Sequence, residues 1–181
     1  MNTYISILRG INVSGSKVIK MDLLKKIFKD AGFKNVQTYI QSGNVIFQSK
    51  KSAIEDLQKK IANEIFLQTK FEVPVLVLEP HELKETLDNN PFLTARREDI
   101  QFLHVTFLSG TPLMENIRKV KGDYLTDEFI FKGKNIYLYC PNGYGRTKLN
   151  NNFFENKLKL TATTRNWKTI IELVNIAEGL Q

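Results

Sequence analysis

Hydrophobic positions along the chain follow two spacings, and their alternation predicts the order of elements. Tyr4 to Leu8 (YISIL) is a short β-rich run and predicts a buried strand. A polar, glycine-containing loop extends from Arg9 to Lys17. Leu24, Ile27, Phe28 and Ala31 then recur at helical spacing, and Gly32 stands where a helix C-terminus favours positive φ. Val36–Ile40 and Val45–Gln48 predict two strands around the turn Gln41-Ser42-Gly43-Asn44, which makes a hairpin. Ser52 and Glu55 have the spacing of a capping box ahead of a stripe at Ile54, Leu57, Ile61 and Ile65. Val73 to Leu78 is a fourth strand. Pro74 lacks an N–H and so belongs at its start or at a sheet edge.

The first half therefore reads β-α-β-β-α-β, the split-βαβ or ferredoxin-like (α/β-plait) pattern. The second half opens with a short helix after Pro80 and a linker containing Pro91. Gln101 to Leu108 predicts a strand. Thr111-Pro112 has the form of an N-cap and first-turn proline ahead of Leu113, Ile117 and Val120. Phe129–Phe131 and Ile136–Tyr139 predict strands around Lys132-Gly133-Lys134-Asn135. A helix through Leu149, Phe153 and Leu158 comes next, then a last amphipathic helix bearing Trp167, Ile170, Ile171, Val174 and Ala177. This is the order β-α-β-β-α-α. The expected fold class is α+β, with two ferredoxin-like subdomains at 1–79 and 80–181. The second is degenerate and carries an extra C-terminal helix. No repeat is visible in residue identity.

Composition supports a globular chain. It has 181 residues, 42% of them hydrophobic and 25% charged, enough to bury a large core. No apolar run approaches the roughly 18–20 residues of a membrane span. The opening MNTYISILRGIN lacks a positive n-region and a small-residue cleavage site, so no signal peptide and no membrane partner are expected. The single cysteine, Cys140, excludes an internal disulfide framework and a cysteine-rich zinc site, and the expected location is cytoplasmic.

The distribution of charge says more than its total of +7. Residues 1–50 hold eight basic and two acidic side chains, and residues 133–168 hold seven and one. Residues 51–100 are acidic, with seven basic against ten. Two basic segments thus flank an acidic middle, an arrangement suited to an anionic partner.

Four stretches carry candidate chemistry, and each has a plainer explanation. The first is Arg9-Gly10-Ile11-Asn12-Val13-Ser14-Gly15-Ser16-Lys17. Its glycine spacing is close to a P-loop, but Ser16-Lys17 reverses the required Lys-Ser/Thr order, which excludes a nucleoside-triphosphatase. Its glycines can still let N–H groups converge on an anion beside Arg9 and Lys17, or can merely serve turns. The second is Gln41-Ser42-Gly43-Asn44, whose uncharged hydrogen-bonding groups suit either a turn or a polar ligand. The third is Thr161 to Trp167. Thr163 or Thr164 is expected to cap the last helix. Arg165, in its first turn, would then oppose the helix dipole, which points to a carboxylate or bound anion as its partner. The fourth is Tyr144 to Leu149, with Arg146 and Lys148 in a loop ahead of a helix that Thr147 could cap.

Other chemistries find no support. His81 and His104 are far apart, and there is no HExxH, His/Cys cluster or GxSxG, so neither metal nor cofactor is expected and no catalytic residue stands out. His104 fits a sheet-face histidine, Cys140 an inert thiol, and Glu79, Glu82 and Glu85 a solvated helix face. An RNA-reading sheet would need aromatics on its first and third strands. Tyr4 and Phe47 are available, but Gly43-Asn44-Val45-Ile46-Phe47 lacks the inner aromatics of that motif. Nucleic acid thus remains a partner without a motif to support it.

Two stretches, YISILRGINVSGSKVIKMDLLKKIFKDAGFKNVQTYIQSGNVIFQS and YGRTKLNNNFFENKLKLTATTRNWKTI, resemble the bacterial family catalogued as domain of unknown function 1697. The matching positions are Arg9, Gly10, Asn12, Gly15, Met21, Gln41, Ser42, Gly43, Asn44, Lys148, Thr163, Arg165, Asn166 and Trp167. The resemblance implies a duplicated ferredoxin-like arrangement and no known activity. The expectation carried forward is a protein that binds a small anionic, phosphorylated ligand in a basic cleft. Arg9, Gly10, Asn12, Gly15, Gln41, Ser42, Asn44, Lys148, Arg165 and Asn166 are the candidate ligand-binding residues. A nucleic-acid-binding module and an enzyme without a recognisable motif are the alternatives.

Overall fold

Residues 1–121, 124 and 126–180 are described by a computed structural model. They divide into two units, Met1–Lys84 with Glu172–Gln181, and Glu85–Ile171. Each is built on a four-stranded antiparallel sheet.

In the first unit the strands are β1 (Asn2–Leu8), β2 (Lys34–Tyr39), β3 (Asn44–Ser49) and β4 (Val75–Leu78), in the order β2-β3-β1-β4. β4 is an edge strand, and Pro74 precedes it, as a residue without an N–H must. Helices α1 (Met21–Asp30) and α2 (Ile54–Thr69) present Leu24, Ile27 and Phe28, and Leu57, Ile61 and Ile65, to one sheet face. There they meet Tyr4, Leu8, Val45, Phe47 and Val77 in one core. Phe47 is its hub, with ring centroids 4.5 Å from Phe33, 5.4 Å from Phe28 and 5.7 Å from Tyr4. Truncating such a ring to alanine costs about 3–5 kcal/mol. The alternate residues Ile5, Ile7, Ile46 and Leu76 are buried as well, so the first strand is buried on both faces. The end of the chain belongs to this unit. Gln48 Nε2 donates to the Leu180 carbonyl at 2.6 Å, and Lys84 pairs with Glu178 at 3.3 Å.

Helix α3 (Pro80–Asp88) leads into the second unit, which continues with α4 (Pro91–Arg96), β5 (Leu103–Leu108), α5 (Met114–Ile117), β6 (Glu128–Lys132), β7 (Asn135–Tyr139), α6 (Asn151–Leu158), β8 (Ala162–Asn166) and the start of α7 (Trp167–Glu178), whose residues from Glu172 onward belong to the first unit. The order β6-β7-β5-β8 repeats that of the first sheet, strand for strand. Leu108, Ile136, Leu138, Phe154, Leu158 and Ala162 form its core.

Several local expectations are corrected. The segment read as a cap for the last helix is strand β8, whose Thr163, Thr164 and Arg165 pair with Phe107, Thr106 and Val105. β-branched threonines favour extended backbone, and that preference prevails over their capping chemistry. The cap is supplied by Asn166, whose Oδ1 accepts from Thr169 N at 2.8 Å. Pro91 opens a helix instead of interrupting a linker, because Asn90 Oδ1 accepts from Phe92 N at 2.9 Å. Ser52 makes no capping box. Its hydroxyl turns to the Lys50 carbonyl, and α2 starts at Ile54 without a side-chain cap. Helix α5 is a single turn that starts beyond Thr111-Pro112.

Candidate functional site

In the first unit, the end of β1 is gripped from both sides. Leu8 N donates to the Gly43 carbonyl at 2.8 Å, and Arg9 N donates to the Pro74 carbonyl at 2.9 Å. The chain then enters a loop with positive φ at Gly10, Asn12, Ser14, Gly15 and Lys17. Three of these are not glycine, and left-handed backbone at such positions costs roughly 1–3 kcal/mol each. The loop closes on itself through Asn12 N to the Lys17 carbonyl at 3.2 Å and Ser16 N to the Val13 carbonyl at 2.9 Å. Ile11 and Ile19, both 1% exposed, anchor its ends in the core.

Asn12 fastens this loop to the hairpin turn. Its Oδ1 accepts from Ile19 N at 2.8 Å, while Nδ2 donates to the carbonyls of Ile19 and Gln41 at 3.0 and 2.8 Å. Asparagine tolerates the left-handed backbone this position needs. Across the junction, Asn44 is fully buried, and its Nδ2 donates to the Tyr39 carbonyl at 3.1 Å and to Ser42 Oγ at 2.9 Å. Ile40 holds φ +47°, an outlier for a β-branched residue. Gly43 lies between loop and turn at φ +79°. A Cβ there would come within 2.8 Å of both Ile11 Cδ1 and Leu8 Cβ.

Arg9, Gly10, Asn12, Gly15, Gln41, Ser42 and Asn44 therefore belong to one loop-and-turn assembly in this unit. Asn12 and Asn44 use their amides to build it, while Gln41 and Gly15 are exposed on it and Arg9 is half-buried. Lys17 is not in a helix, which begins four residues later, and its Nζ donates to the Glu72 carbonyl. Beside it lies an open groove of about 610 Å³ lined by Lys17, Ala62, Asn63, Phe66, Glu72, Val73 and Pro74. Sequence reasoning missed this groove. The available signal was Phe66, an aromatic next to the Ile54–Ile65 stripe but off it, and 43% exposed.

Lys148, Arg165 and Asn166 belong to the second unit. Lys148 is exposed, after a single turn at Tyr144–Arg146. Thr147 does not cap the next helix; Asn150 does, accepting from Phe153 N at 3.0 Å. Arg165 lies in strand β8, so the helix-dipole argument does not apply to it. The residue is 8% exposed, and its guanidinium donates to Thr163 Oγ1 at 3.0 Å and to the Thr164 carbonyl at 2.9 Å. His104 is buried in β5 and stacks on Tyr144 with centroids 4.9 Å apart. Burial pushes its pKa down. Burial pushes the Cys140 thiol up to about 12, with the Asp127 charge adding to the effect. Among the described residues no His/Cys/Asp/Glu cluster could hold a metal ion, and no helix is long and apolar enough to cross a membrane.

The family described as Protein of unknown function (DUF1697) matches residues 1–137, three quarters of the chain and the whole loop-and-turn assembly. The chain belongs to that family. The second stretch of family-like sequence, from Tyr144 onward, lies beyond the matched residues of DUF1697. A solved structure, that of the conserved bacterial protein SP0830 from Streptococcus pneumoniae, superposes with a TM-score of 0.75 at 23% identity. The alignment covers 97% of this chain and 98% of that one. At that identity the likeness establishes a shared fold for this DUF1697 chain. Among the curated proteins, none matches the sequence.

Proposed function

We propose that this protein binds a small anion of the phosphate or phosphate-ester class on the Arg9–Lys17 loop and the Gln41–Asn44 turn. The observation that carries this reading is a contrast between the two units. In the second, Leu108 N donates to the Lys134 carbonyl and Ser109 N to the Thr161 carbonyl, both at 2.9 Å, the same grip that holds Leu8 and Arg9. There the fold connects strand to helix with the five residues Ser109–Leu113, while the first unit uses the twelve residues Arg9–Lys20. Architecture does not require the extra length, the strained backbone or the basic side chains. Long, conformationally specialised loops on a rigid scaffold are where binding resides.

In this reading Arg9 and Lys17 supply positive charge. Backbone amides of the loop at Gly10 and Gly15, both at positive φ, face the anion in this reading. Gln41 and Ser42 supply specificity, and Asn12 and Asn44 hold the frame. Lys148 is an exposed cation of the second unit, where Arg165 and Asn166 order the strand–helix junction. Each unit is, in the same proposal, a ferredoxin-like βαββαβ module. Tyr4 and Phe47, the rings an RNA-reading sheet would need, are 1% and 0% exposed, which favours a small anion over nucleic acid.

The test is a thermal-shift titration with inorganic phosphate, pyrophosphate and ribose 5-phosphate. At 100 times its Kd a ligand adds about 2.7 kcal/mol. For a chain of this size that raises Tm by roughly 5–10 °C. Arg9→Gln should abolish the shift. No shift with any of the three anions, or the same shift in Arg9→Gln, overturns the proposal.

A further inference from the structure

The groove beside the loop narrows the ligand class, an inference that rests on the anion-binding reading. Lys17 is common to both features. It is part of the strained loop, and it lines the groove together with Asn63, Phe66, Glu72 and Pro74. The opening of about 610 Å³ falls within the range of small-molecule sites. Its chemistry is mixed. Phe66 offers an aromatic surface to the groove and is 43% exposed. Lys70 Nζ stands 5.8 Å from that ring's centroid. Glu72 contributes an exposed carboxylate, an acceptor only, and Asn63 an exposed amide that donates and accepts.

These groups discriminate among anionic ligands. A simple sugar phosphate has no π face for Phe66. A fatty acid has no N–H donor for Glu72. A nucleobase presents a flat π surface together with N–H donors and acceptors on its edge, and a nucleotide joins it to a phosphate. We infer that the ligand is a nucleoside monophosphate, with its phosphate on the Arg9–Lys17 loop and its base against Phe66, where Asn63 and Glu72 meet the base edge.

Isothermal titration with the four ribonucleoside monophosphates, ribose 5-phosphate and inorganic phosphate tests this. Stacking of one base on an aromatic side chain is worth about 1–3 kcal/mol. At least one nucleotide should therefore bind about fivefold or more tightly than ribose 5-phosphate. Phe66→Leu, which keeps an apolar side chain at an exposed site, should erase that advantage and leave phosphate affinity unchanged. Glu72→Gln should reorder the preference among bases. Nucleotides binding no better than ribose 5-phosphate, or a nucleotide advantage that survives Phe66→Leu, overturns the assignment while leaving the anion site standing. Loss of phosphate binding in Phe66→Leu also overturns it, because the ring would then be structural. Failure of phosphate and nucleotides alike would remove both readings.

Discussion

Gly43 offers the sharpest test of how the loop and the turn are joined. A methyl group at this position meets two separate costs. At φ +79° an L-residue is left-handed, which costs roughly 1–2 kcal/mol. The new Cβ would also lie 2.8 Å from Leu8 Cβ, an atom fixed to the end of a central strand, and equally close to Ile11 Cδ1. Overpacking of this kind costs typically 1–3 kcal/mol. Gly15 separates the two terms, because it has nearly the same φ, +76°, and open space around its Cβ position. Urea denaturation should thus place Gly43→Ala about 3 kcal/mol below wild type and Gly15→Ala only about 1–2 kcal/mol below, with unchanged m values. The clash displaces Ile11, the neighbour of Asn12, so Gly43→Ala should also lose the phosphate-induced thermal shift. Equal destabilisation by the two substitutions would refute the steric argument. A Gly43→Ala protein that is stable and still responds to phosphate would refute the coupling of turn to loop.

Ser6 is fully buried among the core strands with no hydrogen-bond partner for its hydroxyl, so Ser6→Ala should leave stability unchanged or raise it by up to about 1 kcal/mol in urea melts. A clear loss would show that the hydroxyl has a partner. Burial holds the His104 pKa below its ordinary value, so the unfolded chain takes up a proton first. Stability is retained above about pH 6.5 and falls as the pH drops below it. His104→Gln should flatten the profile between about pH 5 and 7, and an unchanged slope would refute the assignment. Cys140, buried and with its thiol raised to about 12, should resist a thiol–disulfide reagent at neutral pH in the native protein and react fully in denaturant. Rapid native reaction would contradict the burial.

The sequence disclosed the elements whose signals are local and uncontested. YISIL, the 24–31 stripe and the hairpin around Gly43 each carry one periodicity and one punctuating residue, and they occupy the predicted places. It was ambiguous where one residue type serves two structures. Thr163 and Thr164 are good helix caps and good strand residues, and only pairing with β5, more than fifty residues away, decides between them. The same ambiguity misplaced Arg165. Of the candidate site, the two loops were legible as glycine-rich polar stretches, but the division of labour within them was not. Asn12 and Asn44 read as ligand contacts, yet their amides bind backbone across 29 and 5 positions, a distinction that only the folded chain reveals.

The repeated strand order gives the candidate site its strongest argument because it supplies an internal control. Two four-stranded sheets of identical order were built from sequences with no visible identity, so what they share reports what the architecture demands. They share the strand order and the double grip on the residue pair that ends the first strand, Leu8-Arg9 in one unit and Leu108-Ser109 in the other. Beyond that pair the two chains diverge. Ser109 uses its hydroxyl to accept from Thr161 N at 3.1 Å, and the chain proceeds directly to a helix. Arg9 instead opens a loop that places five residues at positive φ, two isoleucines in the core and one asparagine amide across to Gln41. If the loop were a passive insertion, its strained residues would relax, since surface insertions of this length are tolerated at little entropic cost. It is held in a costly conformation by buried anchors and a hydrogen-bonded clamp. That is the arrangement by which a protein fixes backbone amides and cations in advance of a ligand, so that binding does not bear the cost of ordering them.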